Sequence, residues 1–283
     1  MDIIGRRANA WPEHRMLRAG STPTLAFGCA LLFGFTRLSG CTPREAAPNR
    51  EGAPPASAPG TPPRASPTTD SPRTRAIALA PREAGTTHLV VFLHGVGAEA
   101  GNFVDLARSL APAIPHAELL VPDGFEPFDR GKSGRQWFSL RDRRDDVVAQ
   151  RLGDGSRAVS TWLDGELRAR GLDGTRLALV GFSQGAMVAG WLAVHREPRP
   201  AAVVMLSGML AFDDAPVTGS GPPVLLTHGD RDEVISINRM APAAVLLEAR
   251  GARPTTRRYP GLAHRVDERV LADVGAFLAE SLR

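Results

Sequence analysis

One stretch constrains this chain more than any other. The apolar run Leu177-Ala178-Leu179-Val180 leads into Gly181-Phe182-Ser183-Gln184-Gly185, and Ala186-Met187-Val188-Ala189-Gly190-Trp191-Leu192-Ala193 follows directly. The run reads as a buried parallel strand and the following segment as a helix. A serine at the apex of a strand–turn–helix, with glycine two residues before and two after, has the form of a nucleophile elbow. The small residues allow a turn sharp enough to lift the serine hydroxyl above the sheet. A chain with 29 glycines produces the five-residue pattern easily by chance, so the flanking strand and helix carry the discrimination.

The surrounding sequence supplies the sheet that such an elbow needs. Residues 88–93 read as a first buried strand, followed by His94-Gly95-Val96-Gly97 and a helix through Phe103, Leu106, Ala107 and Leu110. Residues 117–121 give a second strand, stopped by Pro122-Asp123-Gly124, so strand, helix and strand stand at βαβ spacing. Residues 124–143 read as a polar loop holding Arg135-Gln136-Trp137-Phe138, whose aromatic pair is expected to line a substrate groove rather than plug the domain edge. An amphipathic helix is expected over 156–170. Beyond the elbow, strands are expected at 202–206, 223–227 and 255–259, with helices at 239–250 and 266–282. This alternation predicts a single α/β domain with a mostly parallel sheet covered by helices on both faces.

On such a sheet, functional groups gather at the carboxyl ends of the strands. A serine hydroxyl needs a base, and the base needs an acid to hold its tautomer. With an elbow of this kind the chain order is serine, acid, histidine. Of the histidines after Ser183, His195 lies on the helix leaving the elbow and His228 precedes every acid of its own loop, which leaves His264 as the base. Asp232 and Asp230 compete for the acid, with Asp213 and Asp214 as outsiders. Asp232 is better placed to turn back beyond the His228-Gly229 bend, whereas Asp230 suits stabilising that turn. The backbone amides of Val96 and Gln184 are the expected oxyanion donors, and His94 is expected to be structural.

Residues 88–283 resemble the phospholipase/carboxylesterase family of α/β-hydrolases, which includes acyl-protein thioesterases. The resemblance rests on Phe92-Leu93-His94-Gly95-Val96-Gly97, Arg135-Gln136-Trp137-Phe138, Gly181-Phe182-Ser183-Gln184-Gly185, Leu206-Ser207-Gly208, His228-Gly229-Asp230-Arg231-Asp232 and Ala263-His264. It implies an α/β-hydrolase fold and a Ser183, Asp232, His264 triad acting on carboxyl esters, thioesters or lysophospholipids. Two positions depart from the pattern: Ser139 stands where an acidic residue usually follows the aromatic pair, and Ala186 replaces a glycine after the elbow. Both departures bear on substrate choice rather than on the chemistry.

The amino-terminal quarter reads differently. Residues 25–35 are an apolar run shorter than the roughly 20 residues of a membrane span, preceded by Arg15 and Arg18 and followed by Leu38-Ser39-Gly40-Cys41. This last segment resembles the lipobox of bacterial lipoproteins, which implies cleavage before Cys41 and lipid attachment to its thiol. An ordinary cleaved signal peptide or a buried anchor helix is the competing reading, and either Met1 or Met16 suits the start. Residues 1–40 are thus expected to be a signal peptide, 41–75 a Pro- and Ala-rich disordered linker, and 76–283 the hydrolase domain. The expected location is the cell envelope, with the domain outside the cytoplasm and tethered to a membrane.

Charge and cysteine usage fit that division. The chain carries 34 basic and 30 acidic residues, and five of the arginines but only two of the acids fall in the first forty positions, leaving a nearly neutral remainder. Its arginines are scattered among acids, which argues against a nucleic-acid partner. Only two cysteines occur, and loss of Cys29 with the signal segment would leave Cys41 with no disulfide partner. Histidines and acids lack metal-ligand spacing, so no metal or other cofactor is expected. The sequence therefore predicts a lipid-anchored serine hydrolase acting on small-molecule or lipid esters. Its rival is a noncatalytic envelope binding protein on the same scaffold.

Overall fold

The computed structural model describes residues 74–210 and 220–283. Cys41, the signal segment and linker, and Asp213 and Asp214 lie outside the described residues. The main sheet has seven strands: β1 (Ala76–Leu79), β2 (His88–Leu93), β3 (Ala117–Pro122), β6 (Leu177–Phe182), β7 (Ala202–Leu206), β8 (Pro223–Gly229) and β9 (Arg253–Tyr259). The two-residue strands β4 (Glu126–Pro127) and β5 (Arg135–Gln136) form a separate small hairpin. The helices are α1 (Ala100–Leu110), α2 (Asp145–Ala169), α3 (Gln184–His195), α4 (Met240–Glu248) and α5 (Glu268–Ser281).

The order across the sheet is β1-β3-β2-β6-β7-β8-β9, parallel throughout except for β1, which pairs antiparallel with β3. All six residues of β2 and all six of β6 are buried, as expected of central strands covered on both faces. Alternate side chains divide the core. Leu89, Val91 and Leu93 of β2 join one cluster with α2, α3 and α4, while Val90 and Phe92 join another with α1 and α5.

This division locates the site. The chain leaves β2 toward α1 on one face and leaves the adjacent β6 toward α3 on the other, so the strand order reverses between them. A crevice opens at the carboxyl ends of strands at such a switch point. His94–Gly97 and Ser183 follow the two strands that border it.

Local signals explain most element boundaries. The Asp267 carboxylate accepts from the amides of Arg269 and Val270 at the start of α5, a cap typically worth about 1 kcal/mol. Glu99 and Asn102 exchange hydrogen bonds at the start of α1. Besides the β4–β5 hairpin within the expected polar loop, two elements differ from expectation. β1 is a four-residue edge strand of alternating burial with no fully buried residue, too short to stand out. α2 begins eleven residues before the expected position, because small residues interrupt its apolar stripe. Gly153 and Ser156 occupy the buried face, and a Cβ at Gly155 would lie 2.7 Å from the Trp137 carbonyl. Glycine there lets the helix press directly on the backbone of the aromatic pair.

Candidate active site

The elbow is sterically determined. Ser183 adopts φ 55° and ψ −115°, a left-handed φ that costs a non-glycine residue of order 1–3 kcal/mol. Neighbouring backbone holds it there. The Ser183 amide donates to Leu206 O at 2.9 Å, and its carbonyl accepts from Ala186 N and Met187 N at the start of α3. A Cβ on Gly181 would meet Gly185 O at 2.2 Å, and one on Gly185 would meet Leu93 O at 2.0 Å. Neither position tolerates a side chain. Ser183 itself is 7% exposed, at the base of the crevice.

The turn after β2 lies against this serine: a Cβ on Gly95 would be 3.3 Å from Ser183 Cβ. His94 is wholly buried and orients the turn. Its Nε2 accepts from the Gly124 amide at 2.9 Å, so its proton is on Nδ1, which donates to Gly95 O at 2.8 Å. Burial lowers its pKa, which keeps the ring neutral. Because a peptide is planar and trans, fixing the Gly95 carbonyl toward His94 turns the Val96 N–H the other way. Gly97 N donates to Arg135 O at 2.8 Å and Arg135 N to Ala98 O at 2.9 Å, so β5 braces the far end of the same turn.

The Gln184 side chain joins this brace to the elbow. Its Oε1 accepts from Trp137 N at 2.9 Å and its Nε2 donates to Phe138 O at 2.7 Å. The Trp137 indole N–H donates to His94 O at 2.8 Å. Here the expectation for Trp137 and Phe138 is corrected. Both are at most 2% exposed and belong to the core beneath the crevice, so they support its floor and do not line a substrate groove. Where the family usually has an acidic residue, Ser139 Oγ hydrogen-bonds the Asp129 carboxylate, which also pairs with Arg141.

Two further loops bring together the residues expected as acid and base. The loop after β8 is fastened to the loop after β9 by Asp230 N to Tyr259 O (3.2 Å) and Arg231 N to Leu262 O (2.9 Å). A Cβ on Gly229 would lie 2.1 Å from Leu262 O, so glycine is needed for this approach. The Asp230 carboxylate accepts from Gly261 N at 2.7 Å on one oxygen and from Arg258 at 3.1 Å on the other, so both oxygens are engaged in fastening the turn. Asp232 is the partner of His264: its Oδ2 lies 2.7 Å from His264 Nδ1.

The Asp232 side chain has no solvent exposure. Its Oδ1 accepts from Val234 N at 3.0 Å and Ile235 N at 2.8 Å. Burial alone would raise its pKa, but N–H groups of His228 and His264, with the Ile235 amide, outweigh burial and hold the carboxyl well below the usual range. Nδ1 of His264 donates to the carboxylate, so in the neutral ring the lone pair is on Nε2. The ring packs 4.7 Å from Phe182, the residue before Ser183.

Among the described residues no group of three His, Cys, Asp or Glu side chains could hold a metal ion, and no helix is long and apolar enough to cross a membrane. Sequence reasoning missed two contributors, the Gln184 amide side chain and His228, which lies 3.3 Å from Asp232, and it expected His94 to be structural without the contacts that make it so. Their roles depend on side-chain direction, and only the His228-to-Asp232 spacing gave a clue.

The profile of the phospholipase/carboxylesterase family matches residues 76–282. The esterase YpfH of Escherichia coli K12 is 29% identical over 187 residues, which span 64% of this chain and 77% of that protein. Acyl-protein thioesterase 1 of Cryptococcus neoformans is 25% identical over 234 residues, spanning 73% and 97%. Among solved structures, esterase PE8 superposes with a TM-score of 0.67 at 25% identity, covering 74% of this chain and 99% of its own. A Bacillus cereus carboxylesterase does so at 0.64 and 18%, covering 74% and 94%, a likeness of fold alone. Elbow, strand order and family profile agree, and the chain belongs to the phospholipase/carboxylesterase family of α/β-fold hydrolases.

Proposed function

We propose that this protein is a serine hydrolase that cleaves carboxyl esters, thioesters among them, through an acyl-enzyme on Ser183. The observation that carries the proposal is the 2.7 Å contact between His264 Nδ1 and the fully buried Asp232, at strand ends bordering a serine held in a strained turn. The relatives named esterase and acyl-protein thioesterase support the substrate class.

In the proposed cycle, Ser183 Oγ attacks the carbonyl carbon while His264 Nε2 takes the hydroxyl proton. The resulting oxyanion receives the amides of Val96 and Gln184, and each such donor typically contributes on the order of 3 kcal/mol. Collapse breaks the bond to the alkoxy or thio group, which leaves with the proton from His264. Water then attacks the acyl-enzyme, giving one proton to His264, and the departing Ser183 oxygen recovers it as the acid is released. Asp232 stays ionised throughout and stabilises the imidazolium.

A fluorophosphonate probe tests the reading. The expected result is one covalent adduct on Ser183, absent in Ser183→Ala. A folded wild-type protein that remains unlabelled would refute it and favour the noncatalytic alternative. We further propose that Leu38-Ser39-Gly40-Cys41 directs lipid attachment to Cys41, so that the hydrolase works tethered at the cell envelope.

A further inference from the structure

His228 is a buried titratable group for which the proposed cycle has no use. It is the next-to-last residue of β8, is 2% exposed, and turns its ring toward the acid. Its Nε2 lies 2.7 Å from Ile235 O and 3.3 Å from Asp232 Oδ2. Both neighbours are acceptors, so Nε2 carries a proton in every protonation state of the ring that these contacts allow. That N–H spans the two ends of the acid loop, because the amide of the same Ile235 donates to Asp232 Oδ1.

The carboxylate is therefore held by two amides on Oδ1 and approached by two imidazole N–H groups on Oδ2. Of the two rings, that of His264 is 10% exposed and that of His228 1%. A carboxylate with His264 as its sole Oδ2 partner would concentrate charge on that contact, and its Oδ2 would pivot about the amide-held Oδ1 when His264 moves. A second fixed N–H prevents both.

We propose that His228 is a positioning residue that holds the Asp232 carboxylate in register and moderates its negative charge, thereby setting how tightly His264 binds its catalytic proton. The inference rests on the assignment of His264 as the base in the proposed function. Removing the His228 N–H leaves more uncompensated charge beside His264 Nδ1, which favours the imidazolium. The affinity of His264 for its proton then rises, and the acid limb of the kcat/KM profile moves to higher pH. Other charged groups on the two loops around this cluster are Asp230, Arg231, Glu233, Arg265 and Asp267; Asp230 is already engaged by Gly261 N and Arg258, and Asp267 by Arg269. None of these is altered in the variants below.

The test uses the full chain with His228→Met, which keeps apolar volume but has no donor, and His228→Gln, whose Nε2 amide can face both Ile235 O and Asp232. NMR titration of the His264 ring and the pH profile of kcat/KM, normalised to probe-labelled Ser183, are compared with wild type. Expected for H228M are a His264 pKa higher by about half a unit or more and kcat/KM lower by on the order of tenfold, as for a lost hydrogen bond to a charged group. H228Q is expected to restore both toward wild type. An H228M protein with lowered melting temperature but an unchanged His264 titration would overturn the proposal, as would equal shifts in H228M and H228Q. Because the titration does not require turnover, its result stands apart from the labelling at Ser183 on which the hydrolase reading depends.

Discussion

Gln184→Met is the most informative single perturbation of the fold around the site. The substitution keeps the backbone amide proposed for the oxyanion and nearly keeps side-chain volume, but removes both bonds to the aromatic segment. The Trp137 amide and the Phe138 carbonyl would then be buried without partners. At about 1–3 kcal/mol for each buried orphan, the expected loss is about 2–6 kcal/mol. For a domain of this size each kcal/mol lowers Tm by about 2–4 °C. Catalysis should fall too, since β5 braces the Val96 turn through Arg135, and a misplaced donor lowers kcat while leaving KM nearly unchanged. Gln184→Glu provides the diagnostic contrast. Its carboxylate still accepts from Trp137 N, but its second oxygen faces Phe138 O and needs a proton to bond there. The folded state thus binds that proton more tightly than the unfolded state, so the stability it contributes is present at acid pH and lost as pH rises through the raised folded pKa. Urea denaturation should show the deficit of Gln184→Glu against wild type growing from pH 5 to pH 8. A deficit independent of pH, or a Gln184→Met protein within about 0.5 kcal/mol of wild type, the ordinary range for surface changes, would refute the clamp.

Other expectations concern the acid, the floor and the anchor. Asp232 has a folded pKa below its unfolded value of about 3.9, so its contribution is present above that value and lost as pH falls. The stability difference between wild type and Asp232→Asn should therefore rise from pH 2.5 to 5 and then level off, and a flat difference would contradict it. The same variant should lose on the order of 10⁴ in kcat/KM, measured with a chromogenic ester, if Asp232 fixes the His264 tautomer. Trp137→Phe removes the donor to His94 O and should cost about 1–3 kcal/mol in chemical denaturation with KM unchanged. A large KM change at constant stability would return Trp137 to the groove. Cys41→Ser should move the full-length protein from the detergent phase to the aqueous phase, and unchanged partitioning would remove the lipid anchor.

Much of the fold was legible because its signals are local. The five consecutive apolar residues of β2 and the Gly-x-Ser-x-Gly turn each declare themselves within a short window, as does the helical stripe of α1. β1 and the first half of α2 were not legible for a related reason. One is a four-residue edge, and the other buries glycine and serine where periodicity looks for leucine. For the site, the chain order of Ser183, Asp232 and His264 filtered the candidates without knowledge of contacts. The roles of Trp137 and Phe138 could not be filtered that way. An aromatic pair in a polar loop packs against something in either case, and which surface it meets is settled by α2 pressing on its backbone at Gly155.

The donors around the crevice share a logic that no single motif reveals. His94 faces Gly124 N and Gly95 O, Gln184 faces Trp137 N and Phe138 O, and His228 faces Ile235 O and Asp232. Each polar side chain is buried and bridges two groups, at least one of them backbone, so each freezes a loop rather than a single contact. The turns after β2, β6 and β8 are thereby fixed before any substrate arrives, and the loop carrying His264 is fixed through Asp232 and the pairing at Tyr259 and Leu262. A site that stabilises developing charge gains most when its dipoles need not reorganise during the reaction. Placing hydrogen-bonding side chains beneath the floor, with the buried Asp232 carboxylate surrounded by four N–H donors, achieves that without leaving its charge uncompensated.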